Sequence, residues 1–294
     1  MQLTAADPLP GDVVGEVAPT VDDRLRVEPA PDTVFDRTTA IRPTGTAGLF
    51  DADLAPEWES LVGIHGGSLV AITVRGIATL VPGRSVRTVA TSFVRPGRPG
   101  PARLLVKKVH GGRSVSSAVA QLYQDDHLLL TTRATLVAER TGAEWGHGAP
   151  LVEIPPSACV PIEPPGRRLP HFDQAEGVLD PANLPFSGGP RAALRGYVRP
   201  AERRPIDEAW LTMAVDWFPP PAFVRTQPPI GGISIDLVTH IHRTLPAERA
   251  GWLGVAFEID TSTGGLGVEH GRIATPAGVL LAESFHTRWT ADPT

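Results

Sequence analysis

Two stretches of the chain repeat one order of hydrophobic and polar positions. In SLVAITVRGIATL, starting at Ser68, apolar residues fall on every helical face. AWLTMAVDWF is alike, with Trp210, Leu211, Met213, Ala214, Val215, Trp217 and Phe218 leaving little polar surface. A helix that is apolar all round is buried all round. Asp207 is placed to cap the second helix and Pro219-Pro220-Pro221 to stop it, while the first ends before Pro82-Gly83. Each helix is followed by long alternating segments that read as strands. After the first come SVRTVATSFVRP, ARLLVKKVHGGRSVSSAVAQLYQDD and HLLLTTRATLVAE. After the second come ISIDLVTHIHRT, WLGVAFEIDTSTGGLGVEHGRIATPA and GVLLAESFHTRW. In ISIDLVTHIHRT, Ile233, Ile235, Leu237 and Ile241 share one face, and Ser234, Asp236, His240 and His242 the other. The apolar face is expected to meet the helix.

Aligning VATSFVRP with LVTHIHRT sets Thr91 on Thr239 and Arg95 on Arg243, an offset of 148 residues that also brings Leu104 to Trp252. Solenoid repeats have periods of roughly 20–50 residues, so an offset this large implies a duplicated domain. The expected organisation is an extended, proline-bearing arm over residues 1–45, a first domain over 46–145, a Pro-rich crossing over 146–190 and a second domain over 191–294. The fold class is α+β: a buried central helix wrapped by an antiparallel sheet, made twice.

A length of 294 residues admits one large or two medium domains, and the repeat selects two. With 27 basic residues against 32 acidic ones the net charge is −5, which excludes a polycation for nucleic acid or anionic lipid. The basic residues are almost all Arg, with Lys only at Lys107 and Lys108, a coding bias rather than a guanidinium site. One cysteine, Cys159, makes no internal disulfide and reads as a spectator thiol. The first residues lack the charged and apolar regions of a secretory signal, and SLVAITVRGIATLV, interrupted by Arg75, is too short to span a bilayer. The expectation is a cytoplasmic protein.

Asp216 is the sharpest chemical feature, because a carboxylate inside an apolar helix is costly unless hydrogen-bonded or functional. Burial would raise its pKa and suit it to general base work, whereas the bland reading is a structural ion pair. His65 and Gly66-Gly67 open the first helix, where backbone amides could polarise a carbonyl. His240 and His242 with Asp236 lack metal-site spacing, so no metal is expected. TSTGGLGVEHG lies between two strands and opens no helix, and no GxSxG elbow occurs.

HGGSLVAI opening a buried helix, SFVRPGRPGPARLLVKKVHGGRSV, GYVRPAERRPIDEAWLTMAVDWFPPP, ISIDLVTHIHR and GVLLAESFHTRW together resemble the double-hotdog acyl-CoA thioesterases of the type II class. The resemblance covers about residues 46–292 and lies in the ordered set of motifs. It implies two hotdog domains, acyl thioester substrates and a water-activating trio. The Asp of that trio falls on Asp216 and the hydroxyl on Ser234. The Gln position falls on His286, a departure: imidazole holds a water or carbonyl as an amide does, but it also titrates near neutral pH. Strict alternation sets Ser234 opposite the Ile233/Ile235 face, so either a bulge turns it inward or the site lies on the other side.

The leading expectation is hydrolysis of a CoA or acyl-carrier thioester, with Asp216 as base, Ser234 and His286 orienting water, and Gly66 and Gly67 stabilising the oxyanion. No cofactor is called for. A double-hotdog dehydratase using His65 and Asp216 is the alternative, although no HxxxGxxxxP segment is present. A non-catalytic acyl-thioester binding module is the third. Sheet edges that need cover point to a homo-oligomer.

Overall fold

The computed structural model describes residues 33–143, 145–146, 148–162, 168–226 and 232–290. The expected arm over residues 1–45 therefore lies outside the described residues as far as residue 32. The first repeat holds α1 (Val34–Thr38), β1 (Ile41–Pro43), β2 (Leu49–Leu54), α2 (Gly66–Leu80), β3 (Ser85–Phe93), β4 (Gly100–Gly111), β5 (Val115–Gln124) and β6 (His127–Val137). The remainder holds β7 (Val160–Pro161), β8 (Ala175–Leu179), β9 (Ala192–Pro200), α3 (Glu208–Trp217), β10 (Gly232–Ile241), β11 (Leu253–Thr263), β12 (Leu266–Ala274) and β13 (Leu280–Thr290). All thirteen strands join one antiparallel sheet in the order β1-β2-β4-β5-β6-β3-β10-β13-β12-β11-β9-β8-β7. The Pro-rich stretch between the repeats thus contributes β7 and β8 to an edge.

Both helices are buried as their all-round apolar sequences require: α3 is buried from Ala209 to Trp217 and α2 from Gly67 to Val74. Their lengths differ, 15 residues for α2 against 10 for α3, because Phe218 precedes a proline run and leaves the helical region. Asp207 does cap α3, its side chain accepting from Trp210 N–H. The helices pack on each other and each lies against its own strands.

The halves meet where β3 pairs with β10, and the register there is symmetric about Ala90 and Val238, flanked by Thr91 opposite Leu237 and Val89 opposite Thr239. Ala90 and Val238 are 148 residues apart, so the sequence offset is also a local two-fold axis. The bulges obey it too. On β10 the pairing with β13 slips between Ser234 and Asp236, and on β3 the pairing with β6 slips between Val86 and Thr88. Ile235 and Arg87 are the extra residues, related by the same offset. The bulge turns Ser234 to the inner side and leaves Ile233 and Ile235 47% and 39% exposed, so the expectation that those isoleucines meet the helix is corrected.

Residues 33–39 form a clasp across the two halves. The buried Asp36 accepts from Arg75 of α2 at 2.6 Å and pairs with the fully buried Arg204, ahead of α3, at 3.0 Å. The Phe35 ring lies 4.2 Å from the Arg204 guanidinium and 5.4 Å from that of Arg75, edge-on to Trp58. Trp58 Nε1–H donates to Thr38 Oγ1, and Arg75 Nε–H to Thr39 Oγ1.

Candidate functional site

The first turn of α2 meets the last turn of α3 close to the seam. His65, the N-cap of α2, accepts Ser68 N–H on Nδ1 at 3.4 Å, which leaves its proton on Nε2. That N–H donates to the Asp216 carbonyl at 3.0 Å, one of the carbonyls a helix end leaves without an intrahelical partner. Both ring nitrogens of His65 are therefore engaged within the protein. The glycines permit the close approach: a Cβ at Gly67 would lie 2.7 Å from the Met213 carbonyl oxygen, and one at Gly66 would lie 2.9 Å from Asp216 Oδ2. Gly67 N–H donates to Asp216 Oδ2 at 2.7 Å, so this amide is already committed to the carboxylate. Gly66 N–H, the first of the helix, has no intrahelical acceptor.

β13 supplies the opposite wall. His286 is fully buried, its Nδ1 lies 3.6 Å from Asp216 Oδ1, and neither ring nitrogen has a hydrogen-bond partner. Two residues on, along the same strand face, stands Arg288. Its Nη2 donates to Asp216 Oδ1 at 3.2 Å, its Nη1 to Ser234 Oγ at 3.4 Å, and its Nε to Glu269 Oε2 of β12 at 2.8 Å. Asp216, Ser234, His286, His65, Gly66 and Gly67 thus lie together, drawn from both halves. Arg288 and Glu269 were not among them. Their signal was the alternation itself, which carries Glu269 and Arg288 to the inner face. The apolar residues Val268, Phe285 and Trp289 on the outer face point a reader the wrong way. His171, from the turn Pro170–Asp173, stacks on His65 with ring centres 5.1 Å apart and adds an aromatic floor.

Burial pushes the Asp216 carboxyl up, but the His65 and His286 rings, the Arg288 guanidinium and the Gly67 N–H outweigh it and hold the group below its ordinary value. Burial, reinforced by Arg288, drives His286 down to about 3, and burial beside His65 does the same to His171. His65 is lowered by burial as well, against the pull of Asp216. The imidazole in the Gln position is therefore neutral at physiological pH, and the expectation that it titrates near neutrality is corrected. The charge that persists beside Asp216 is Arg288; burial pushes the Glu269 carboxyl up, against the pull of the Arg288 guanidinium it pairs with at 2.8 Å.

Only one of the two symmetry-related places carries this chemistry. By the strand register, Ser234, Glu269, His286 and Arg288 correspond to Val86, Ala118, Ala134 and Leu136 of the first half, all buried. Counted from the helix caps, Asp216 corresponds to Val74, also buried.

The histidines at His240 and His242 are occupied elsewhere, the first near Thr88 and the second with Glu283. Among the described residues no cluster of three or more His, Cys, Asp or Glu could hold a metal ion, and no helix is long and apolar enough to cross a membrane. The glycines of TSTGGLGVEHG turn the β11–β12 hairpin, Gly264 and Gly265 taking φ of 59° and 79°.

Residues 54–138 match the model of the acyl-CoA thioesterase N-terminal domain, and residues 156–289 that of the acyl-CoA thioesterase C-terminal domain. A search of the curated proteins finds no match. Among solved structures, a conserved hot dog fold protein of unknown function from Alicyclobacillus acidocaldarius superposes with a TM-score of 0.81 at 20% identity, over 89% of this chain and 99% of that one. The acyl-CoA thioesterase II TesB2 from Mycobacterium marinum gives 0.70 at 18% identity, over 88% and 99%. At such identities the likeness speaks for a shared fold, and the family rests on the two domain matches. Together they span most of the chain, which belongs to the acyl-CoA thioesterase family.

Proposed function

We propose that the protein hydrolyses an acyl thioester of coenzyme A or of an acyl carrier protein by direct attack of water. Asp216 is the general base. Each of its oxygens accepts one protein donor and retains a lone pair for the water. His286 is the observation that carries the reading: a fully buried neutral imidazole with two unused nitrogens, facing the Asp216 carboxylate. A group so placed is costly unless something binds it, and a water or a thioester carbonyl supplies that partner. Ser234 adds a hydroxyl at the same point, and Gly66 N–H, at the positive end of α2, is the amide left for the oxyanion. As the tetrahedral intermediate collapses, the C–S bond breaks and the proton that Asp216 took from the water passes to the departing sulfur, which leaves as the free thiol. No acyl-enzyme forms.

The engaged state of His65 supports hydrolysis over dehydration, since an eliminating base needs a free ring nitrogen. The direct test is thiol release from a panel of acyl-CoAs by the wild type and Asp216→Asn. Hydrolysis abolished in a folded mutant is expected; full activity in Asp216→Asn, or acyl-CoA binding without turnover by the wild type, refutes the mechanism.

A homo-oligomer is also part of this reading. The sheet edges β1 and β7 are only three and two residues long, which blunts them. The better-supported surface is the outer face bearing Ile233, Ile235, Leu266, Val268, Phe285 and Trp289. Sedimentation of the wild type and Trp289→Asp tests it, a monomeric wild type refuting the assembly.

A further inference from the structure

We propose that Glu269 and Arg288 form a positioning pair whose task is to orient the Asp216 carboxylate and set its basicity. This rests on the hydrolytic reading and deepens it. The geometry is a chain of charges across two adjacent strands: Glu269 Oε2 fixes Arg288 Nε at 2.8 Å, and Arg288 Nη2 then fixes Asp216 Oδ1 at 3.2 Å, while Gly67 N–H holds Oδ2 from the other side. With both oxygens held, the plane of the carboxylate is set. The spare Nη1 reaches Ser234, so one guanidinium ties together two groups assigned to the water.

A buried ion pair is weak support for stability, because an apolar pair of similar volume serves as well or better. This protein contains that comparison. The fold fills the corresponding positions of the first half with Ala118 and Leu136, both fully buried. At these positions charges appear only in the half where the neighbouring helix carries Asp216. Nor is Arg288 free to receive an anionic acyl group, since two carboxylates already occupy it.

The groups facing Asp216 are His65 at the α2 cap, His171 on its turn, His286 and Arg288 on β13, and Glu269 on β12. Above the range in which the imidazoles take up protons, Arg288 favours the ionised Asp216 carboxylate, and Glu269, paired with Arg288 at 2.8 Å, tempers that pull. The two therefore act with opposite sign.

The test is the acid limb of the kcat/KM profile, measured with an acyl-CoA the wild type hydrolyses, for two variants chosen to keep the fold. In Glu269→Gln an oxygen still accepts from Arg288 but the negative charge is gone, and the acid limb moves down. In the double variant Glu269→Leu/Arg288→Leu both charges go, and the limb moves up by about one pH unit or more. In that variant kcat also falls by about tenfold to a hundredfold with KM little changed, because the carboxylate loses its orientation. Opposite shifts are the expected result. A merely structural pair leaves kcat of the folded double variant unchanged; that result, or unmoved or same-sign shifts, overturns the proposal. The Asp216 carboxyl titration, followed by 13C NMR, carries the same signs without turnover. A wild type that hydrolyses no thioester thus defeats the proposed function, and an unmoved Asp216 titration defeats the pair. If the double variant does not fold, the downward shift in Glu269→Gln decides alone.

Discussion

Phe35→Ala measures how far residues 33–39 hold the two halves together. The ring is buried at 3% exposure, and truncating a buried Phe costs about 3–5 kcal/mol. The segment is short and can partly collapse into the space, which favours the lower end. Against that, the ring lies over two guanidiniums, and a desolvated contact of this kind is worth about 0.5–2 kcal/mol. Loss of the ring also exposes Asp36, whose ion pairs with Arg75 and Arg204 are otherwise sealed. We expect a net loss of about 3–4 kcal/mol. With an unfolding entropy of about 2.1 cal/mol/K per residue, a chain of 294 residues shifts by roughly 1.6 °C per kcal/mol, and the melting temperature falls by about 5–6 °C. Thermal denaturation followed by tryptophan fluorescence is suitable, because Trp58 lies edge-on to Phe35 and reports the clasp directly. A loss below about 1 kcal/mol would refute the reasoning and make the segment an ornament of the surface.

Lowering the pH should destabilise the protein in a defined window. His171 and His286 sit at about 3 when folded and near 6.5 when unfolded, so between those values the unfolded chain binds protons that the native state refuses. Stability is full above pH 6.5 and declines below it by about 1.4 kcal/mol per pH unit for each group. Urea midpoints at pH 7.5, 6 and 5 check this, with a shallower decline expected for His286→Gln. Because His286 is neutral throughout, the kcat/KM profile should also lack an inflection near 6.5 that disappears in His286→Gln; finding one would return the imidazole to the role of a titrating group. Gly67→Ala should lower stability by about 1–3 kcal/mol and cut hydrolysis, since its Cβ meets the Met213 backbone and forces the helices apart. A mutant with unchanged melting temperature and rate would contradict the close-approach reading.

The elements legible before the structure were those whose local pattern agrees with their environment. The two helices carried apolar residues all round and are buried, and Asp216 stood out in the apolar run of one of them. The 148-residue offset recurs at the seam, where Ala90 faces Val238. Legibility failed where the site inverts the rule that apolar faces turn inward. On β10, β12 and β13 the inner positions hold Ser234, Glu269, His286 and Arg288, while Ile233, Val268, Phe285 and Trp289 face outward. A period of two identifies the faces but not which one is covered. The state of His286 was equally hidden, because its pKa follows from burial and Arg288 rather than from its own chemistry. The clasp was illegible for a third reason: five helical residues are too few to carry a period.

The site draws His65, Gly66 and Gly67 from one repeat and Asp216, Ser234 and His286 from the other, and both repeats lie on a single chain. Because both halves lie on one chain and in one sheet, they meet by an intramolecular rather than a bimolecular encounter. Dilution therefore does not dismantle the site, and turnover per chain should hold constant to concentrations at which two separate subunits would have parted. A single chain also leaves the two halves free to differ. Each repeat is free to specialise, one keeping the helix cap and amides, the other the carboxylate and its charges.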